Sequence, residues 1–135
     1  MVKIQKRFYE EFWRTVIIKD HPDKYGATYS MIKPKSKVLE IGCGEGILLS
    51  KLKKEKNCNV TGIEISDLAA NIAKKKSIKI IKGNIEEILP LKEHYDYIIC
   101  LDIIEHLFFP DEFFRKIKKS CDYLITAVPN ACWWK

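Results

Sequence analysis

The run Val38-Leu39-Glu40-Ile41-Gly42-Cys43-Gly44-Glu45-Gly46 constrains this chain more than any other segment. It reads as a buried strand that turns through three glycines into a helix. Glycines remove the β-carbons from such a turn, so a ligand can lie against bare backbone. The first amides of the next helix have no partners within it and point toward that ligand. Glu40 stands where a purely structural strand would carry another apolar side chain. At a strand end it is placed to meet a cation or a group rich in hydroxyl donors. A cofactor loop is the natural reading, and a glycine-rich turn without a ligand is the plainer alternative.

Spacing decides which cofactor suits the loop. Dinucleotide folds use Gly-x-Gly-x-x-Gly, with pyrophosphate on the helix N-terminus. Here the third glycine comes one residue early, at Gly46, and Ile47 stands where that fingerprint needs a small residue. A pyrophosphate would also meet two acids, Glu40 and Glu45. S-adenosylmethionine carries no phosphate; it has an ammonium, a sulfonium and a carboxylate. An acidic strand end suits the ammonium, and helix amides suit the carboxylate. Acid-x-Gly-x-Gly-x-Gly resembles motif I of the class I S-adenosylmethionine-dependent methyltransferases.

Three further segments carry the resemblance. Asn59 to Ser66 reads as a second strand ending in an acid, Glu64, roughly twenty residues beyond the first glycine, where doubly wound folds place the acid for ribose hydroxyls. Ile78 to Glu87 reads as a third strand running into Gly83-Asn84, and the family's residue at Asn84 contacts the adenine amino group. Tyr95 to Leu107 is an apolar strand followed by Asp102, Glu105 and His106, which resembles the Asp-x-x-Glu-His-Leu stretch of small-molecule and quinone-type methyltransferases. Tyr123 to Asn130 is similar to the family's strand ending in Pro-Asn. The resemblance covers roughly residues 38 to 130 in the order of an open α/β sheet. It implies a cofactor site formed by Glu40, Gly42, Cys43, Gly44, Gly46, Glu64, Ile65, Asn84, Ile85 and Leu101. The cofactor implied is S-adenosyl-L-methionine, leaving as S-adenosyl-L-homocysteine.

Methyl transfer needs a base only when the acceptor must lose a proton. His106 is the candidate, with Asp102 or Glu105 orienting or assisting it; a solvated or helix-capping imidazole is the alternative. Asp102, Glu105 and His106 could also hold a divalent ion, but His21 and His94 offer no paired spacing, and no metal site is expected. Relatives that methylate amino groups of bases or glutamine carry an Asp-Pro-Pro-Tyr-type motif. Leu101-Asp102-Ile103-Ile104 stands there instead, which favours transfer to oxygen, sulfur or carbon.

The chain has 135 residues, is 47% hydrophobic and carries a net charge of +6. That is enough apolar content for one core, so a single S-adenosylmethionine-binding domain is expected over residues 1–135. Residues 1–33 are expected to form N-terminal helices and residues 37–130 a Rossmann-like, doubly wound, mainly parallel sheet of about five strands. No apolar run approaches the ~20 residues of a membrane span, and Glu10, Glu11 and Arg14 interrupt any signal-peptide stretch. No membrane partner and a cytoplasmic location are expected. Cys43, Cys58, Cys100, Cys121 and Cys132 form no Cys-x-x-Cys pair and read as structural thiols of a reducing compartment. Lysine clusters at Lys51–Lys56 and Lys74–Lys76 read as solvated helix faces, with nucleic-acid binding less favoured.

The first helix is expected from Ile4 to Ile18, with Phe8, Phe12 and Trp13 or Ile17 on its apolar face, ending at His21-Pro22-Asp23. A shorter one follows to Ile32. Tyr9, Phe12, Trp13, Tyr25 and Tyr29 are expected either in the core or in a lid. Ser66 is placed to cap a helix, and Phe113, Phe114 and Ile117 are expected to point inward. The family's sheet has seven strands, and two have no counterpart after strand five. Either the chain is a truncated product or that edge is covered by a homodimer or a partner chain, with Trp133 and Trp134 suited to such an interface. The function implied is methyl transfer to O, S, C or N of a small-molecule substrate. The alternatives are a non-catalytic or partner-dependent S-adenosylmethionine-binding subunit and, less favoured, a nicotinamide-binding oxidoreductase.

Overall fold

From Lys37 onward the chain alternates short apolar runs with amphipathic stretches, a pattern that folds as parallel strands joined by helical crossovers. The computed structural model describes residues 2–15 and 22–129. Helices α1 (Val2–Thr15) and α2 (Pro22–Met31) precede β1 (Lys37–Ile41), α3 (Ile47–Lys56), β2 (Asn59–Glu64), α4 (Asp67–Lys75) and β3 (Lys79–Lys82). The short α5 (Ile85–Ile88), β4 (Tyr95–Leu101), a 3₁₀ turn (Ile104–His106), α6 (Pro110–Ile117) and β5 (Cys121–Ala127) follow. All the strand pairs are parallel, in the order β3-β2-β1-β4-β5. This is the Rossmann-like doubly wound sheet that the motifs imply. Strand order reverses between β1 and β4, and open parallel sheets bind ligands beyond the strand ends at such a point.

Central parallel strands are covered on both faces and therefore lack a polar side. Val38 packs with Leu48, Leu49 and Leu52 of α3 and with Ile99 of β4. Leu39 and Ile41 join Ile98, Phe113 and Ile117 on the opposite face. Each such side chain, fully buried, contributes roughly 1.5–3 kcal/mol. Glu40 interrupts this apolar strand between Gly62 of β2 and Ile99 of β4. α3 ends at Asn57, which has a left-handed φ of 52° and whose N–H donates to the carbonyl of Leu52. Lys56 lies in the last turn, where a cation suits the dipole, and it donates to the carbonyls of Tyr29 and Ile32 at 2.5 and 2.6 Å. That lysine clamps α2 onto α3 and is more than a solvated charge. Ser66 caps α4 as expected, accepting from the Ala69 amide at 3.2 Å.

Several local expectations are corrected. Phe8 is 60% exposed, whereas Gln5, Tyr9 and Glu10 of the same helix are half-buried and contact Asn84, the His106 ring and the Asp67 amide. Phe114 is exposed while Phe113 and Ile117 are buried, since residues four apart share a helix face and the next residue does not. Tyr25 and Tyr29 pack against the core beside α3. Strand β2 ends at Glu64, short of Ser66, and β5 ends at Ala127, before Val128 and Pro129. The expectations for Ile17, Ile18, His21, Asn130, Cys132, Trp133 and Trp134, and for the side chains of Phe12 and Trp13, lie outside the described residues. Among the described residues β5 pairs only with β4, and Tyr123 of that edge strand is exposed. No helix among them is long and apolar enough to cross a membrane.

Candidate cofactor and acceptor site

The glycine loop leaves β1 at the reversal of strand order. Gly42, Gly44 and Gly46 have φ of 71°, 56° and 76°, backbone that side chains with a Cβ rarely adopt. The loop is fastened to β2: the amides of Gly42 and Cys43 donate to the Ile63 carbonyl at 2.8 and 3.1 Å. Gly44 N–H donates to Glu64 Oε2 at 2.8 Å. Gly46 is the N-cap of α3 and offers no side chain to its first-turn amides, so those donors face the crevice without a side-chain cap. Cys43 turns its thiol inward over Gly62, where an added Cβ would lie 2.4 Å from Sγ. Burial, with the acids Glu40 and Glu64 nearby, pushes that thiol far above its ordinary range, so it is inert packing.

Two carboxylates lie beneath the loop. Glu40 is 3% exposed, and its Oε2 has no hydrogen-bond partner. Burial, and secondarily the neighbouring Glu64, raises its pKa from 4.5 to about 8. An orphaned buried carboxyl oxygen is expensive to leave unmet, and among the described residues no group supplies its missing donor. Glu64 is 4% exposed; its Oε1 accepts from Ser66 N–H at 2.9 Å. Burial raises its pKa, opposed by the amides of Ser66, Gly44 and Ile65. Ile65 follows it, half-buried.

Asn84 stands at the end of β3 and caps α5, its Oδ1 accepting from Glu86 N–H at 2.8 Å. Its Nδ2 donates to Gln5 of α1, also at 2.8 Å. Ile85 is buried in the core under α5, and Leu101 is half-buried against the α3 side of the sheet. Across the reversal point, the segment after β4 lies over the glycine loop: a Cβ on Gly42 would meet Ile103 Cδ1 at 2.2 Å.

Asp102, Glu105 and His106 follow β4 but do not act as one cluster. Asp102 has a left-handed φ of 54°, its amide donates to the Ala127 carbonyl at 2.8 Å, and its carboxylate is ion-paired with Lys24 of α2. His106 Nε2 lies 4.0 Å from Glu105 Oε1, beyond hydrogen-bond length. Its ring meets Tyr9 edge to face, with centroids 6.2 Å apart. Among the described residues no three His, Cys, Asp or Glu side chains lie close enough to hold a metal ion. Burial raises the Tyr9 phenol, and the nearby Glu64 and Glu105 add to it. Tyr9 therefore stands near Glu64 on one side and against His106 on the other.

Sequence reasoning missed Lys24, Gln5, Glu10, Gly62 and Glu86. Glu86 accepts from the amides of Phe108 and Phe109 at 3.0 and 2.9 Å and so pins the segment after His106. Gly62 was the one legible signal among them, since glycine inside an apolar strand marks a close approach.

A parallel sheet of this order, with a glycine loop and a buried acid at its reversal point, defines a Rossmann-like cofactor-binding protein. Residues 9–133 match the model of a methyltransferase domain family. The chain belongs to that family. It is 33% identical over 91 residues to a ubiquinone biosynthesis O-methyltransferase of Rickettsia akari, an overlap of 63% of this chain and 36% of that protein. It is 34% identical over 85 residues to an (S)-tetrahydroprotoberberine N-methyltransferase of Eschscholzia californica, covering 58% of this chain and 24% of that one. The aligned segments make up about a third or less of each of these curated relatives. Among solved structures, a magnesium protoporphyrin IX methyltransferase from Synechocystis with bound S-adenosylmethionine superposes with a TM-score of 0.73. It is 18% identical, over 90% of this chain and 74% of that one. That likeness establishes the fold.

Proposed function

We propose that this chain is the S-adenosylmethionine-binding domain of a methyltransferase acting on O, S, C or N of a small-molecule acceptor. The observation that carries the proposal is the unpartnered, buried Glu40 carboxyl beneath the glycine loop. A cationic ammonium would supply its missing donor, and the uncapped start of α3 would receive a carboxylate. A pyrophosphate in the same place would bring no cation to Glu40 and would lie against a second buried acid, Glu64. Glu64 would take ribose hydroxyls, with Asn84 beside the base. When bound, the cofactor supplies a methyl group already activated on a sulfonium.

The chain's own part is then placement more than chemistry, since proximity and orientation supply most of the acceleration for an activated donor. His106 is exposed enough to reach an acceptor and would take the proton that a hydroxyl, thiol or carbon acid must lose. Lys24 neutralises Asp102 and fixes the turn from β4 into the 3₁₀ segment. The relatives named above are O- and N-methyltransferases of small molecules by their names, which supports an acceptor of that class here.

Calorimetric titration with S-adenosylmethionine and S-adenosylhomocysteine, with NADH as the competing ligand, tests the proposal. Micromolar binding that Glu64→Ala weakens at least tenfold, about 1.4 kcal/mol, is the expected result. Tight NADH binding, or no binding of either sulfur ligand to folded protein, would overturn it.

A further inference from the structure

We infer that α1 is the element that orients His106, with Gln5 and Tyr9 as positioning residues; the inference rests on the reaction proposed above. Gln5 and Tyr9 are four residues apart and so share one face of α1. Gln5 Nε2 donates to the His106 carbonyl at 3.3 Å, and Tyr9 meets the His106 ring edge to face. One residue grips the backbone and the other the imidazole.

The direction of the Gln5 amide follows from its partners. Asn84 Oδ1 is fixed by accepting from Glu86 N–H, so Asn84 presents Nδ2 to α1. Gln5 must answer with its oxygen, which leaves its NH₂ for the His106 carbonyl. The two side-chain amides, Asn84 and Gln5, therefore run one way, from the start of α5 through α1 to the 3₁₀ turn. Reversing either of them would set two like groups against each other.

The helix is held at the crevice independently of His106. Lys6 pairs with Asp67 at 2.7 Å, and the Glu10 carboxylate accepts from the Asp67 amide at the start of α4. α1 thus spans the segments that follow β2, β3 and β4, all of which line the mouth of the sheet. Glu105, by contrast, is too distant to fix the imidazole, so α1 supplies what that acid does not.

The test is NMR on the labelled 135-residue chain, reading the His106 imidazole signals, assigned by their loss in His106→Asn. Calorimetry with S-adenosylhomocysteine runs on the same samples. Tyr9→Leu should move the His106 ring protons to the shifts of an unstructured histidine, and Tyr9→Phe, which keeps the ring, should restore them. Gln5→Glu keeps the acceptor for Asn84 but loses the donor to His106, and it should shift the His106 backbone carbonyl. Core methyl signals of Ile98 and Ile99 should stay in place, showing that the fold survives. If S-adenosylhomocysteine binds but the His106 signals ignore all three variants, the inference is overturned alone. Failure of the wild-type chain to bind it would instead overturn the cofactor reading, and the positioning role with it.

Discussion

The amide of Gly44 donates to the Glu64 carboxylate at 2.8 Å, joining the loop after β1 to the end of β2. Glu64 also accepts from Ser66 N–H, so one buried acid holds both the glycine loop and the start of α4. Its position in the crevice comes from the loop's need for an acceptor as much as from any ligand.

Glu64→Ala should therefore damage binding and stability together. Hydrogen bonds to a charged group contribute about 1.5–3 kcal/mol each, and the Gly44 and Ser66 amides would be left buried. A loss of at least 2 kcal/mol by urea denaturation is expected on that basis, alongside the weaker cofactor binding. Unchanged stability would mean that water replaces the carboxylate and that the loop is held elsewhere.

Glu40 gives a pH dependence of defined sign. The folded protein holds a proton on this carboxyl up to about pH 8, whereas an ordinary carboxyl loses it near 4.5. Between those values the folded state binds more protons, so its contribution to stability is full below 4.5 and is lost as pH rises through 8. Glu40→Gln removes that slope. Urea midpoints at pH 5 and pH 8 should show the variant gaining on the wild type at the higher pH; an equal difference at both would refute the assignment.

The fold and the placing of the glycine loop beside Glu40 and Glu64 were legible because each of their parts leaves a local signature. Glycines with an acid two residues before them, a strand closing on Glu64 and an apolar strand before Asp102 are all patterns within a few residues. Ser66 announced its helix in the same way. The role of α1 was not legible, because sequence periodicity searches for apolar faces and this helix turns Gln5, Lys6, Tyr9 and Glu10 toward a polar mouth. Lys24 was equally hidden: a lone lysine on a short helix carries no sign that Asp102, 78 residues further on, is its ion-pair partner.

Binding should also move a proton. An ammonium placed against Glu40 favours its ionised form, so the carboxyl that is protonated at pH 7 in the free protein releases its proton on binding. S-adenosylhomocysteine titrated at pH 7 in phosphate and in Tris should give enthalpies that differ by the buffers' ionisation heats. Glu40→Gln should abolish that difference. Buffer-independent enthalpies for the wild type would place the ligand's cation away from Glu40.

Gly62 offers a test of packing alone. It lies opposite Glu40 in the sheet, and a Cβ there would sit 2.4 Å from Cys43 Sγ and 2.8 Å from Ile80 Cδ1. Both neighbours would have to shift, and overpacking of this kind costs about 1–3 kcal/mol. Because Cys43 is part of the glycine loop, the displaced thiol should also disturb the cofactor end. Gly62→Ala is expected to lower the denaturation midpoint and weaken S-adenosylhomocysteine binding, and adding Cys43→Ala should recover part of both by vacating the sulfur's place. Recovery of stability without binding would show that the thiol packs the sheet but does not set the loop.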